Sequence, residues 1–98
     1  MNWTNQSRND LNRIKDFISA DSTFQAERMI NEIYSSVQKL LNYPEIGRVI
    51  YSSGEYLVRR ILVKSYRIIY VFHSEIISIL AVQHQSKELD TDFDLSEI

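Results

Sequence analysis

Three β-rich segments follow one another in the second half of the chain with only two or three residues between them. They run from Tyr56 to Val63, from Tyr66 to Phe72 and from Ile76 to Val82, and the connections are Lys64-Ser65 and His73-Ser74-Glu75. A parallel crossover needs about a dozen residues or more, so connections this short allow only antiparallel hairpins. The second half is therefore predicted to form an antiparallel β-meander.

Two amphipathic helices are predicted ahead of this sheet. The first runs from about Gln6 to Ser19, where apolar residues recur at helical spacing. The second runs from about Thr23 to Asn42, begins at a capping-box pair, Ser22 and Gln25, and stops before Pro44. Because few residues separate the helices, they are expected to form an antiparallel hairpin. The sequence thus predicts an α+β fold in which an N-terminal helical hairpin packs on a small antiparallel β-sheet.

Length and composition limit the function classes. A chain of 98 residues, 44% apolar and 24% charged, fits a single globular domain over residues 1–98. It has no cysteine, so a disulfide framework, a thiol nucleophile and a thiolate metal site are excluded. No apolar run approaches the roughly 18 residues of a membrane span, and the first residues lack the pattern of a signal peptide. We expect a cytoplasmic protein that has no membrane partner and no cofactor.

Charge is distributed unevenly along the chain. The formal net charge is −2, yet residues 48–67 hold five basic residues and one acidic residue. A polar tail begins at about residue 88, and its charged residues are all acidic. These are Glu88, Asp90, Asp92, Asp94 and Glu97. A basic sheet beside an acidic tail indicates either an anionic partner or a tail that covers the sheet when no partner is present.

Alternation along the strands divides the sheet into two largely apolar faces. One face packs on the helices, and the other needs a cover, either the tail or a second polypeptide. Arg59 and Arg60 are neighbours and point to opposite faces, so at most one of them is expected to meet a given ligand.

The order of these features resembles the RelE/ParE family of bacterial toxins from type II toxin–antitoxin systems, over nearly the whole chain. The matching residues are Trp3, Leu11, Ile14, the apolar stripe of the second helix, Pro44-Glu-Ile-Gly-Arg48, Arg59, Tyr66-Arg-Ile-Ile-Tyr70, and Val82-Gln-His84 with Lys87. The resemblance implies a compact α+β toxin and a cognate antitoxin that wraps and neutralises it. Its oligomeric state stays open.

The family contains two kinds of toxin. RelE-like members cut mRNA on the ribosome without metal, and by that resemblance Arg67, His84 and Lys87 are the candidate catalytic residues. ParE-like members bind DNA gyrase. The Pro-x-x-Gly-Arg and Tyr-Arg-Ile-Ile-Tyr motifs are more similar to ParE and plasmid-stabilisation proteins, and the tail offers only Phe93 where several nucleases carry an aromatic hydroxyl. The ParE branch is therefore favoured.

Candidate binding residues, for a target or for the antitoxin, are Arg48, Arg59, Lys64 and Arg67. Whether the chain is an enzyme stays open, because histidine is a common proton-transfer group in catalysis and His84 is a candidate for that role. The alternatives are that Arg67 pairs with an acidic residue and His84 caps a strand, or that the chain is a non-toxic relative whose tail shields the arginines. His73 is expected to be a solvated turn residue, and no metal site is expected.

Overall fold

The computed structural model describes residues 1–98 as two helices and five strands. In chain order these are β1 (Asn2–Trp3), α1 (Asn5–Ser19), α2 (Thr23–Lys39), β2 (Arg48–Ser53), β3 (Tyr56–Val63), β4 (Tyr66–His73) and β5 (Ile76–His84). The predicted α+β architecture of a helical hairpin followed by a meander is confirmed. Neither helix is long and apolar enough to cross a membrane.

Hydroxyl side chains start both helices. At α2 the predicted cap is confirmed, since Ser22 Oγ accepts a hydrogen bond from the Gln25 amide at 3.1 Å. At α1 the cap is Thr4, whose Oγ1 accepts from the Ser7 amide at 3.2 Å. Thr4 Oγ1 also donates to the carbonyl oxygen of Ile79 in β5 at 2.9 Å, so the residue that starts α1 also holds it against the sheet.

The five strands form one sheet in the order β1-β5-β4-β3-β2. The β2 to β5 pairs are antiparallel, as expected, whereas β1 pairs with β5 in parallel and makes the sheet mixed. Two-residue connections join β3 to β4 and β4 to β5, and their tight turns hold Lys64, Ser74 and Glu75 at positive φ. His73 ends β4 half-buried against Tyr56, at 4.8 Å between ring centroids, and is not the solvated turn residue expected.

The main core lies between the helices and one face of the sheet, which we call the helix face. Its buried members are Leu11, Ile33, Val37, Leu40, Val63, Tyr66, Ile68, Tyr70, Ile77, Ile79 and Val82.

A buried carboxylate fixes α1 to the edge of β5. Asp10 Oδ2 accepts from the Val82 amide at 2.9 Å, beyond the point where β1 has ended.

The opposite face of the sheet is covered by the chain's own last residues. We call residues 89–98 the strap and this side of the sheet the strap face. The buried sheet residues beneath the strap are Val58, Ile69, Val71, Leu80 and Ala81, and the strap packs Leu89, Phe93, Leu95 and Ile98 against them. The sequence left open whether the tail or a second polypeptide covers this face. In the structure the tail covers it.

Two β-bulges adapt the sheet to the strap. The register of β2 against β3 shifts between Val49 and Tyr51, so Ile50 is an extra residue. The register of β5 against β4 shifts in the same way around Leu80. A bulge lets two consecutive side chains point to one face. Leu80 and Ala81 therefore both lie on the strap face, and strict alternation, which predicts opposite faces for them, is wrong at this point.

Candidate functional site

Three arginines share the strap face and form a diagonal row across three strands. Arg48 of β2 pairs directly with Arg60 of β3. Arg60 pairs with Ile69 of β4, and Arg67 lies two residues before Ile69 on the same face. Directly opposed residues have Cβ atoms about 5 Å apart and diagonal neighbours are about 7–8 Å apart, so one anionic segment can reach all three guanidinium groups. We call Arg48, Arg60 and Arg67 the arginine row.

The arginine row is not neutralised by the chain itself. The ion pairs of the structure are Arg13–Asp10, Arg28–Glu32 and Lys64–Glu32, and none includes a member of the row. Arg67 donates instead to neutral oxygens, to Gln83 Oε1 at 3.3 Å and to the backbone carbonyl of Lys87. Like charges directly opposed across two strands are destabilising. Arg48 and Arg60 thus face each other without a carboxylate partner in the chain.

Arg59 and Lys64, which the sequence grouped with these residues, lie on the other side of the sheet. Arg59 shares the helix face with its partner Tyr70 and donates to the carbonyl oxygens of Glu45 and Gly47, at 3.0 and 2.9 Å. Lys64 Nζ lies 3.9 Å from a carboxylate oxygen of Glu32 in α2. Of the four predicted binding residues, the structure thus brings together Arg48 and Arg67 and separates them from Arg59 and Lys64.

Arg59 and Tyr70 together fasten the loop that leads into β2. The Tyr70 hydroxyl donates to the carbonyl oxygen of Pro44 at 2.8 Å and accepts from the Gly47 amide at 2.9 Å. A Cβ atom at Gly47 would lie 2.5 Å from that hydroxyl, so only glycine fits. Burial raises the pKa of Tyr70, and the Gly47 hydrogen bond and the charge of Arg59 oppose this effect. The motif Pro44-Glu-Ile-Gly-Arg48 thus places Arg48 at the start of β2.

The candidate catalytic residues are divided between the two faces. His84 packs its ring edge-on against Tyr66, at 5.3 Å between centroids, and Tyr66 belongs to the helix-face core. Arg67 follows Tyr66 and therefore points to the strap face. The Nδ1 atom of His84 accepts from the Ser86 amide at 3.1 Å, so in the neutral ring the proton lies on Nε2. Arg67 and His84 do not converge on one point.

A cleft of about 570 Å³ lies between α1, the end of β5 and the strap. His84 and Lys87 line it, together with Gln83 and Arg13. Its other charged lining residues are acidic: Asp10, Asp90, Asp92, Asp94 and Glu97. Hydrogen bonds from Ser96 lower the pKa of Asp94, which favours its charged form. Carboxylates in excess repel a phosphodiester, so this cleft is poorly suited to RNA.

Arg60 is not among the residues predicted from the sequence, although part of the signal for it is present there. A two-residue connection at Lys64-Ser65 pairs Val63 with Tyr66, and counting back from that pair puts Arg60 on the same face as Arg67. No comparable feature of the sequence predicts that Arg48 lies opposite Arg60. It depends on the bulge at Ile50, without which Arg48 would point to the helix face.

The sequence model of the family described as "ParE toxin of type II toxin-antitoxin system, parDE" matches residues 1–89. This chain belongs to the ParE toxin family. A toxin of this family has a cognate antitoxin as its partner.

Two further proteins are similar to this ParE-family chain. Toxin RelE2 of Caulobacter vibrioides is 29% identical over 85 residues, covering 87% of this chain and 93% of that protein. A solved structure, the chromosomal ParDE toxin–antitoxin system from P. aeruginosa, superposes with a TM-score of 0.70 at 20% identity. It covers 85% of this chain and 91% of the other chain, and at that identity it supports the fold.

Proposed function

We propose that this ParE-family toxin arrests growth by binding an essential cytoplasmic target, DNA gyrase, and that it does not cut RNA. The observation that supports binding is the opposed placement of Arg67 and His84 on the two faces of the sheet. Cleavage of RNA needs charge stabilisation and proton transfer at one phosphodiester group. The arginine row supplies positive charge for the first requirement. No group that could transfer a proton lies beside the row, so the second requirement is not met there. Gyrase is the target that the ParE-like motifs favour.

A supercoiling assay with purified protein and gyrase tests the target. We expect inhibition by the natural chain, and at least a tenfold higher concentration for half-inhibition by Arg60→Glu, because charge reversal removes the centre of the arginine row. Lys15→Glu is the matched control, since this exposed residue of α1 has the same charge change far from the row. Normal supercoiling at saturating natural protein rejects gyrase as the target.

Ribonuclease action is the second candidate, because His84 and Lys87 line one cleft and RelE2 is a relative. His84→Ala separates the two proposals. The binding proposal predicts that cells expressing this variant still stop growing, whereas a nuclease that uses His84 as its acid or base would lose roughly 10²–10⁴-fold in rate. Primer extension on transcripts after induction is the direct readout, and new 5′ ends that disappear in His84→Ala contradict the binding proposal.

Growth arrest itself tests whether the chain is toxic. Expression in a host without the cognate antitoxin is expected to stop growth, and co-expression of that antitoxin is expected to restore it. Unimpaired growth at a level of folded protein verified by purification indicates the non-toxic relative.

A further inference from the structure

The two edges of the sheet are closed to different extents. At one edge β1 pairs with only part of β5, and two side chains add bonds to β5 there. Thr4 Oγ1 donates to the carbonyl oxygen of Ile79, and Asp10 accepts from the Val82 amide. At the other edge, β2 pairs with β3 on one side only. The chain therefore protects the β5 edge itself and leaves the β2 edge open.

The second half of β2 is suited to pair with another strand. Open strand edges present unpaired N–H and C=O groups, and proteins commonly block them with charged residues, proline or a bulge. The bulge at Ile50 disturbs the first half of β2, but Tyr51, Ser52 and Ser53 keep a regular pairing with β3 and include none of these blocks. A two-residue loop is closed by a hydrogen-bonded pair, here Ser53 with Tyr56, so the backbone groups of Ser52 point away from β3.

Apolar side chains beside this edge are exposed on both faces of the sheet. Val49, on the helix face, is 44% exposed. Tyr51, on the strap face, is 38% exposed, although Phe93 of the strap lies edge-on to it at 6.5 Å between ring centroids. A strand that pairs with β2 would cover these side chains while it satisfies the backbone groups of Ser52. The edge thus offers both apolar surface and hydrogen-bonding groups to one occupant.

The charges of the β2–β3 hairpin identify that occupant. Arg48 is the first residue of β2, and Glu55 lies in the turn at the other end, roughly 20 Å away at about 3.3 Å per residue. Neither residue forms an ion pair within the chain. A second copy of β2 that runs antiparallel brings Glu55 of each copy beside Arg48 of the other. Because the strand is positive at its start and negative after its end, it is complementary to itself.

We propose that β2 pairs with β2 of a second copy of this chain in an antiparallel homodimer, and that the two five-stranded sheets become one continuous sheet. The two-fold axis lies at Ser52, because such an axis places one residue opposite itself and the backbone groups of Ser52 point outward. Tyr51 of each copy is then opposite Ser53 of the other, on the same face of the joined sheet. The bulge at Ile50 falls opposite the turn of the second copy, at the end of the shared ladder.

The dimer supplies a carboxylate to the arginine row. Adjacent strands lie about 4.8 Å apart, so Glu55 of the second copy reaches the Arg48 guanidinium, which its own chain leaves beside Arg60 without a carboxylate. Arg60 and Arg67 keep their places on the strap face. This assignment rests neither on gyrase inhibition nor on RNA cleavage.

Sedimentation equilibrium of the full-length chain measures the association. The shared contact is smaller than the roughly 800 Å² per partner of a standard interface, so we expect a reversible dimer with a dissociation constant on the order of 10 μM. Arg48→Glu and Glu55→Arg are each expected to raise that constant at least tenfold, because each places like charges together at two contacts. Glu75→Arg is the matched control, since this exposed residue of the β4–β5 turn has the same charge change far from β2. It is expected to leave the association unchanged.

An equimolar mixture of the two charge variants tests the antiparallel arrangement. A mixed dimer of Arg48→Glu with Glu55→Arg places opposite charges together at both contacts. We therefore expect the mixture to associate at least tenfold more tightly than either variant alone, and to lose part of this advantage at about 1 M salt. A contact elsewhere on the molecule gives no such rescue.

One introduced thiol tests the position of the axis, because the chain has no cysteine. Residues opposed in a hydrogen-bonded antiparallel pair have Cα atoms about 5.5 Å apart, which a disulfide spans. Ser52→Cys is expected to form disulfide-linked dimers in air, and Ser74→Cys, exposed in the β4–β5 turn, is not. A natural chain that stays monomeric at millimolar concentration, a mixture that associates no better than its components, or equal cross-linking of the two cysteine variants overturns the proposal.

Discussion

At the residue scale, the paired arginines on the strap face act against stability. Arg48 and Arg60 are direct neighbours on adjacent strands, and neither has a carboxylate partner. Arg60→Glu turns this repulsion into an attraction. We therefore expect the free energy of unfolding to rise by about 0.5–1 kcal/mol at low salt, measured by urea denaturation.

The control for this prediction is Arg60→Gln, which removes the charge and keeps most of the side-chain length. It is expected to give a smaller gain, and the gain of both variants is expected to shrink at about 1 M salt, where charges are screened within about 3 Å. If Arg60→Glu is stabilising and also weakens gyrase inhibition, the arginine was retained for binding. Loss of stability in both variants at every salt concentration would show that the Arg60 side chain contributes to packing.

Tyr70 gives a prediction with a defined pH range. Tyr70→Phe leaves the Gly47 amide and the Pro44 carbonyl without their partner, so the free energy of unfolding is expected to fall by about 1–3 kcal/mol near neutral pH. Burial raises the pKa of folded Tyr70 above the ordinary value of 10.0. Its phenol keeps its proton after the unfolded chain has lost it, so this contribution is complete below pH 10.0 and is lost as pH rises through the folded pKa.

The difference between the natural chain and Tyr70→Phe is therefore expected to narrow above about pH 10. Urea denaturation from pH 7 to 11 measures it. Tyr43→Phe is the matched control, because Tyr43 is exposed and its hydroxyl does not hold the loop. A difference that widens at alkaline pH would mean that ionised Tyr70 is the form favoured in the folded state.

At the element scale, Asp10 decides how α1 is seated on the sheet. Its carboxylate accepts from the Val82 amide, from Gln6 and from Arg13, and it is buried. Asp10→Ala leaves the amide at the edge of β5 unpaired, so we expect a loss of about 2–3 kcal/mol in the free energy of unfolding. Hydrogen exchange at the Val82 amide is expected to accelerate more than at other β5 positions. The exposed Asp16→Ala on the same helix serves as the control, and an equal effect of both variants would contradict this role.

The elements also show how far sequence reasoning extends. Short connections and alternating apolar residues sufficed to predict the meander, and the Ser22 cap was readable because its hydrogen bond is local. The bulges at Ile50 and Leu80 could not be predicted from the sequence. The position of a register shift depends on which sheet residues the strap covers, and that is a tertiary contact. The parallel pairing of β1 was missed because two residues carry too little pattern. Arg59 was selected for binding from the family motif, and only the structure shows that it fastens a loop.

At the scale of the whole molecule, the sheet separates two cores that are closed in different ways. The helix-face core is covered by α1 and α2, which are held by continuous internal hydrogen bonds and by Asp10. The strap-face core is covered by the ten residues of the strap, which form neither a helix nor a strand. Opening the strap thus exposes one apolar face and leaves the other core intact. The two sides of the sheet are therefore asymmetric in how readily we expect them to open.

Native-state hydrogen exchange tests that asymmetry directly. Amides of residues 89–98 lack sheet partners, so they are expected to exchange at least a hundredfold faster than the paired amides of β3, β4 and β5, which open only with the whole domain. Low urea concentrations are expected to leave strap exchange nearly unchanged and to accelerate exchange in the central strands, because the denaturant acts in proportion to the surface exposed. Phe93→Ser is then expected to accelerate exchange at Leu80 and Ala81, beneath the strap, and not at Ile33 in the helix hairpin. If strap and central strands exchange at one common rate, the strap is a cooperative part of the fold and this asymmetry is absent.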